Sequence, residues 1–196
     1  MRYKNMLIVG LLVIGFGLFA VVQGVIIPQN EQRHQQYLAA QQNPVTHDLS
    51  RILPFKNRYM GDASNVANLF QHLPLDVERT YRLHPETWSV EVNYKEGVSR
   101  IGEERVHKIL IYNAVAAFSL IENLQELHFN FADPSGDLIR YQVTRSAIES
   151  IFGQDLSELL TKEKWQKEVQ DKLKSKAFVD RCMQSAFVTQ QTKKKA

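Results

Sequence analysis

Six histidines, His34, His47, His72, His84, His107 and His128, are the first side chains to weigh for chemistry in this chain of 196 residues. No two stand three or four apart, the spacing that lets one helix hold a metal between two imidazoles. Each therefore reads as a solvated or hydrogen-bonded side chain. The chain contains no G-x-S-x-G, no G-x-x-x-x-G-K-[ST] and no G-x-G-x-x-G, so hydrolase elbows and nucleotide cradles lack their sequence support. Carboxylates such as Asp62 and Glu122 could serve as an acid and base pair only if the fold brought them together. Glu103 and Glu104 are adjacent, diverge on a helix and suit its positively polarised first turn. The single cysteine, Cys182, lies among Phe178, Val179, Met183, Ala186 and Phe187. That pattern describes a buried small hydrophobe, with an intermolecular disulfide as the sharper alternative. No residue is assigned a catalytic, cofactor-binding or metal-ligating role, and the chain is not read as an enzyme.

Two asparagines carry more information. Asn113 interrupts an otherwise apolar helical stripe, and a buried amide must find hydrogen-bond partners. It is expected to fix its helix against neighbouring backbone such as the Tyr59 to Asp62 turn. Asn123 lies just beyond the same helix. Gly61-Asp62-Ala63-Ser64 could offer backbone amides to an anion, but Asp62 already places negative charge there, so a cap and turn is the expected role.

The element that must position everything else is Met6 to Ile27, which holds one polar side chain, Gln23, and no charge. As a helix it would measure about 33 Å, enough for a hydrocarbon core of about 30 Å. Arg2 and Lys4 precede it, and Pro28, Gln29 and Asn30 follow. The positive-inside rule then puts the N-terminus in the cytoplasm and the remainder outside the cell membrane, with the bilayer itself as a partner. A cleaved signal peptide is the rival reading, but its apolar run should be about 7 to 15 residues, and Val22-Gln23-Gly24 only imitates an A-x-A site. Ala20 and Gly24 have small-xxx-small spacing, which four scattered glycines produce easily.

Formal charge is +3. From Pro28 onward 22 basic residues face 21 acidic ones, and without Lys193, Lys194 and Lys195 that region stands at −2. This is no footprint of a nucleic-acid binder. The lysine run reads as a solvated tail. An external domain with one cysteine has no internal disulfide and must be held by its core.

The expected organisation is 1–5 cytoplasmic, 6–27 transmembrane, 28–47 a glutamine-rich stalk with a helical stretch over His34 to Gln41, 48–160 the main domain, and 161–196 an amphipathic helix with its tail. In the domain, Val66, Leu69, Phe70 and Leu73 predict a helix capped by Asp62 or Ser64 and ended by Pro74. Thr80 to Leu83 reads as a short strand, and Trp88, Val90, Val92 and Tyr94 alternate as a half-buried one. After the breaker Gly102, Glu103 to Glu122 reads as a central helix by length, although Lys108 to Tyr112 alone fits a strand. Leu127, Phe129 and Phe131, then Ile139, Tyr141 and Val143, flank the turn Asp133-Pro134-Ser135-Gly136 as a hairpin. Thr144 caps a helix closed by Gly153, and Trp165, Val169, Leu173 and Ala177 line a final one. The predicted fold is α+β: an antiparallel sheet of about four strands covered on one face by helices, preceded by one membrane helix.

Asn57-Arg58-Tyr59-Met60-Gly61-Asp62-Ala63-Ser64-Asn65-Val66, Leu73-Pro74-Leu75, Val92-Asn93-Tyr94, Tyr112-Asn113-Ala114 and Phe118-Ser119-Leu120-Ile121-Glu122-Asn123 together resemble a domain-of-unknown-function family, number 4825, over roughly Asp48 to Leu160. The resemblance implies a Gram-positive, extracytoplasmic domain carried behind a membrane anchor or lipoprotein signal. It also implies a relation to the outer end of some beta-lactam-sensor metallopeptidases. The only cysteine is Cys182, which excludes a lipoprotein signal. Two departures count: Glu86-Thr87-Trp88-Ser89 replaces the family's Pro-Tyr-Gly turn, and no H-E-x-x-H occurs, so peptidase activity is not implied. The expected role is a non-catalytic module binding a protein or ligand at the cell envelope, as a sensor or accessory subunit. The alternatives are an oligomerising structural subunit using the Phe178 to Phe187 stripe, or a wall- or peptide-directed hydrolase.

Overall fold

A computed structural model describes residues 2–132 and 136–192, in two units, Met1–Ala40 and Gln41–Ala196. The first unit is helical: α1 (Arg2–Val21), a π-helical turn at Val22–Ile26, and the start of α2 (Ile27–Gln41). This run is long and apolar enough to cross a membrane, with a mean hydropathy of 2.5 over its apolar window. Leu11, Phe16 and Phe19 lie exposed on it, as lipid-facing side chains would. Pro28 does not end the helix. It cannot donate to Gly24, and in the turn before it the winding loosens so that Ile27 N–H reaches the carbonyl of Val22, the i→i−5 pattern that absorbs such a defect. The glutamine-rich stretch is helical over His34 to Gln41, as expected, and the helix extends back through Ile27.

The second unit begins earlier than residue 48, because Gln41, Pro44 and His47 are already buried. After short 3₁₀ turns at Leu49–Arg51 and Leu53–Phe55, α3 (Ala63–His72) opens on Asp62, whose Oδ1 accepts from Asn65 N–H at 3.0 Å. It buries Val66, Leu69 and Phe70. Next come β1 (Arg79–His84), β2 (Ser89–Tyr94), α4 (Val98–Ile101) and α5 (Glu103–Leu120). Gly102, at φ +96°, separates the two helices, a conformation that favours glycine. Every residue of α5 from Ile109 to Leu120 is buried. That full enclosure explains why Lys108 to Tyr112 alone resembles a strand: a helix packed on all sides loses its polar face.

The chain continues through β3 (Glu126–Ala132), β4 (Leu138–Thr144), α6 (Arg145–Phe152), α7 (Lys162–Lys164), α8 (Lys176–Ala186) and β5 (Phe187–Thr192). Five strands stand in the order β1-β2-β3-β4-β5. The expectation of an all-antiparallel sheet is corrected at one pair: β2 and β3 are parallel, because α4 and α5 carry the chain back across the sheet between them. The β3–β4 hairpin is antiparallel as predicted, although residues 133–135 of its turn lie outside the described residues. Trp88, expected as the first strand residue, sits instead in a turn at φ +53°, 47% exposed. Consecutive bonds from Thr87 N–H to His84 O and Trp88 N–H to Pro85 O tighten that turn, so the strand starts at Ser89.

The C-terminal region belongs to this domain. Trp165, Val169 and Leu173 are buried, but Ala177 is exposed. The expected single helix is a π-helical turn (Trp165–Gln170), a 3₁₀ turn (Lys172–Lys174) and then α8, capped by the Ser175 hydroxyl on Phe178 N–H. A repeat of four overruns the 3.6 residues of an α-turn, and the wider turn keeps Trp165 and Val169 on one side. The last strand, β5, pairs with β4 and was not legible in Val188 to Thr192, a polar stretch without alternation. Lys193, Lys194 and Lys195 lie outside the described residues.

Candidate functional site

Alternation along the strands divides the sheet. Val90, Val92, Tyr94, Leu127, Phe129, Phe131, Tyr141 and Val143 face the core. The helices gather there: Phe70 of α3 lies 6.3 Å from Phe129 and 6.0 Å from Tyr81 between ring centroids, and His107 of α5 lies 5.9 Å from Tyr141. Helices α6 and α8 pack against α5 in turn. The alternate positions Arg82, Glu91, Asn93, His128, Arg140 and Gln142 lie on the opposite face, and none of them is fully buried.

That open face is polar and ordered. Register aligns Arg82, Glu91, His128 and Gln142 in one cross-strand row, and Thr80, Asn93, Asn130, Arg140 and Gln190 in the next. Asn130 is its hub and is 3% exposed. Its Nδ2 donates to Glu91 Oε1 at 2.8 Å and Asn93 Oδ1 at 2.7 Å, while its Oδ1 accepts from Arg140 Nε at 2.8 Å. His84 lies 3.4 Å from both Glu86 and Glu91. Glu126 accepts from Gln142 Nε2 and lies 3.6 Å from His128 Nε2. Glu91, Asn93, Asn130 and Arg140 are thus held by one another on this face, as are Glu126 and Gln142, the preorganisation a recognition surface uses.

A concavity of about 540 Å³ lies between the end of α6 and the π-helical turn, lined by Phe152, Gly153, Asp155, Glu158, Lys164 and Glu168 among others. Its charges pair locally, Lys164 with Glu158 at 3.2 Å and Lys172 with Glu168 at 2.9 Å.

The residues singled out from sequence fall as follows. Asp62 and Glu122 are not a pair: Asp62 caps α3, and Glu122 lies 3.5 Å from Arg58. Asn113 is fully buried, but its Nδ2 donates to Pro74 O at 3.2 Å, not to the Tyr59 to Asp62 turn. That turn is held by Asn123, whose Oδ1 accepts from Met60 N–H at 2.7 Å. Cys182 is 2% exposed, and burial pushes its thiol pKa up to about 12. Of the other stripe residues, Val179, Met183, Ala186 and Phe187 are buried within the same domain, and Phe178 is half-buried with its ring 5.8 Å from that of Phe152. Among the described residues no group of three or more His, Cys, Asp or Glu could hold a metal ion.

Sequence reasoning missed the open face because its pairs are distant in the chain, Glu91 with Asn130 for example. The signal that could have found it was the strand alternation itself: the polar positions Glu91, Asn93, His128, Asn130, Arg140 and Gln142 share one face. It missed Arg145 as well. This residue donates from Nε to Leu124 O at 2.7 Å and from Nη2 to Ile121 O at 2.6 Å.

The fold and this surface define an α+β domain with a one-sided sheet, preceded in the chain by an apolar helix. Residues 52–144 match a family described as a domain of unknown function (DUF4825), so this stretch of the chain is a DUF4825 domain, as the resemblance implied. No curated protein and no solved structure matches the chain.

Proposed function

We propose that this is a single-pass membrane protein whose domain lies outside the cell and binds an envelope protein or ligand through the open face of its sheet, without catalysis. The observation that carries the reading is the one-sided sheet, with its helices on the apolar face and a preformed hydrogen-bond network centred on Asn130 on the other. The two strand carboxylates on that face, Glu91 and Glu126, are each engaged by neighbouring side chains. Acid–base hydrolysis uses an enclosed pair flanking the scissile bond, so this arrangement favours recognition. The near-neutral domain supports a partner other than nucleic acid. Arg2 and Lys4 before the apolar helix support the outward orientation.

A photo-crosslinking residue placed at Gln142 or Gln190 in the full-length protein in intact cells is expected to give a discrete adduct. The same residue at Lys167, on the helical side, is expected to give none. Arg140→Ala should lower the adduct yield by about fivefold or more, as the loss of a contact worth about 1 kcal/mol or more would. Equal labelling from both sides of the domain, or none from the sheet face, would overturn the reading. Orientation is tested with a membrane-impermeant maleimide on a Gln36→Cys variant. Labelling of intact cells is expected at position 36 and not at the buried Cys182, which should react only after denaturation. Labelling at position 36 only after lysis would put the domain in the cytoplasm.

A further inference from the structure

Residues 41–48, which open the second unit, are held to one another and to the rest of the domain by side-chain hydrogen bonds with a fixed direction. Gln41 Oε1 accepts from Asp48 N–H at 3.1 Å, and Gln42 Oε1 accepts from Leu75 N–H at 2.9 Å. Gln170 Nε2 donates to the carbonyls of Pro44 and His47 at 3.0 and 2.8 Å. At the centre is His47, 2% exposed. Its Nε2 lies 2.8 Å from His72 O, its Nδ1 lies 2.8 Å from Tyr112 Oη, and Trp165 Nε1 lies 3.1 Å from the same Oη.

Only one arrangement of protons satisfies this chain. The carbonyl of His72 can only accept, so Nε2 carries the proton. Indole N–H can only donate, so Trp165 donates to Tyr112 Oη, and the hydroxyl proton points to Nδ1 of His47. A second proton on His47 would occupy Nδ1 and face a hydroxyl whose own proton would then have no acceptor. The cost falls on buried groups, where an unsatisfied donor is expensive. The strap also clamps a strained place. Leu75, which Gln42 holds, sits at φ +96°, a region unfavourable to a side chain with a Cβ. Asn113 holds the neighbouring Pro74 carbonyl, and His47 holds His72.

We infer that residues 41–48 are an acid-sensitive latch: protonation of His47 reverses its hydrogen bond with Tyr112 and releases the strap from the Leu73 to Leu75 turn while the sheet stays folded. The inference is independent of what binds the open face. Burial lowers the pKa of His47 from 6.5 to about 4. The groups around it are Asp48 and Arg51 on its own segment, His72 at the end of α3 and Tyr112 on α5, with Lys162 acting on Asp48. The C-terminal segment contributes the uncharged Trp165 and Gln170. Because the bound-state pKa is depressed, the latch is fully effective above the free value of 6.5 and weakens as pH falls toward 4.

Hydrogen exchange on the full-length protein in detergent micelles, corrected for the intrinsic pH dependence of exchange, tests this. Between pH 7 and 4.5 the opening of peptides covering 41–48 and 73–75 should rise about 60-fold, the linkage expected for that pKa difference. Peptides from β2 and β3 should change by less than about threefold on the same linkage argument. In His47→Gln, which keeps a donor toward His72 and cannot take up a proton, the strap's response should be flat. If that variant fails to accumulate, nitrogen-15 spectra of the wild-type imidazole give a second reading: protonation at Nε2 alone and a midpoint near 4 are expected. A strap that does not respond to acid, a strap and sheet that open together by the same factor, a His47→Gln response equal to wild type, or a midpoint near 6.5 would each overturn the latch.

Discussion

Replacing Trp165 with alanine is expected to lower the melting temperature of the full-length protein by about 10 °C. Truncating a fully buried tryptophan costs about 3–5 kcal/mol in lost transfer energy and cavity formation, and a domain of this size loses about 2–4 °C per kcal/mol. Trp165 is 1% exposed, its ring meets that of Tyr112 edge-on at 5.4 Å between centroids, and its indole N–H donates to Tyr112 Oη. Trp165→Phe separates the contributions. It refills most of the volume and removes only the donor, so about 1–2 kcal/mol should be lost. Far-UV circular dichroism melts of the three proteins check this. A drop below about 2 °C for the alanine variant, under the same size scaling, would mean that the C-terminal region is an appendage and not part of the core.

The second large effect is expected at Arg145. α5 ends at Leu120, and the carbonyls just beyond it have no helical partner. Arg145 supplies donors to two of them, Ile121 and Leu124, packs its guanidinium 5.3 Å from the centre of the Phe118 ring, and lies 3.6 Å from Glu149. Burial lowers its pKa, and Glu149 opposes that shift. Positive charge at the C-terminal end of a helix is favourable in itself, and charged hydrogen bonds are worth about 1.5–3 kcal/mol each. Arg145→Ala should therefore cost about 2–4 kcal/mol. Arg145→Lys should recover less than half of that, because one ammonium cannot reach two carbonyls with the geometry of a planar fork. Urea unfolding of the wild type and both variants measures the difference. Equal midpoints for lysine and arginine would show that charge alone matters and that the fork does not.

Local patterns in the sequence carried much of this architecture. Asp62, Thr144 and Gly102 act where their types dictate, as two caps and a breaker, because capping is decided within a few residues. Alternation at Leu127 to Phe131 and Ile139 to Val143 placed the hairpin for the same reason. The reading failed where the deciding interaction was distant. Trp88 has the size and position of a strand residue, but turn bonds to His84 and Pro85 keep it out. Val188 to Thr192 carries no strand signal of its own and becomes β5 because β4 offers an unpaired edge. Asn113 reads from the sequence as a structural amide, but its partner is Pro74 and not the expected turn, and the hold of Asn123 on Met60 exists only in the folded chain.

By itself the sequence determined a run of apolar residues long enough to span a bilayer, an α+β domain of the DUF4825 family, the caps and breakers of its helices, and a core that must hold without disulfides. These follow from composition and from contacts within a turn or two of the chain. Only the tertiary structure decided that β2 and β3 run parallel, that Asn130 gathers Glu91, Asn93 and Arg140 on an open face, and that His47 closes a proton-ordered chain to Tyr112 and Trp165. The physical reason is the same in each case. These arrangements depend on hydrogen bonds between residues brought together from separate segments, up to 65 apart between His47 and Tyr112, and the direction of such a bond is set by what each partner can donate or accept once water has been excluded.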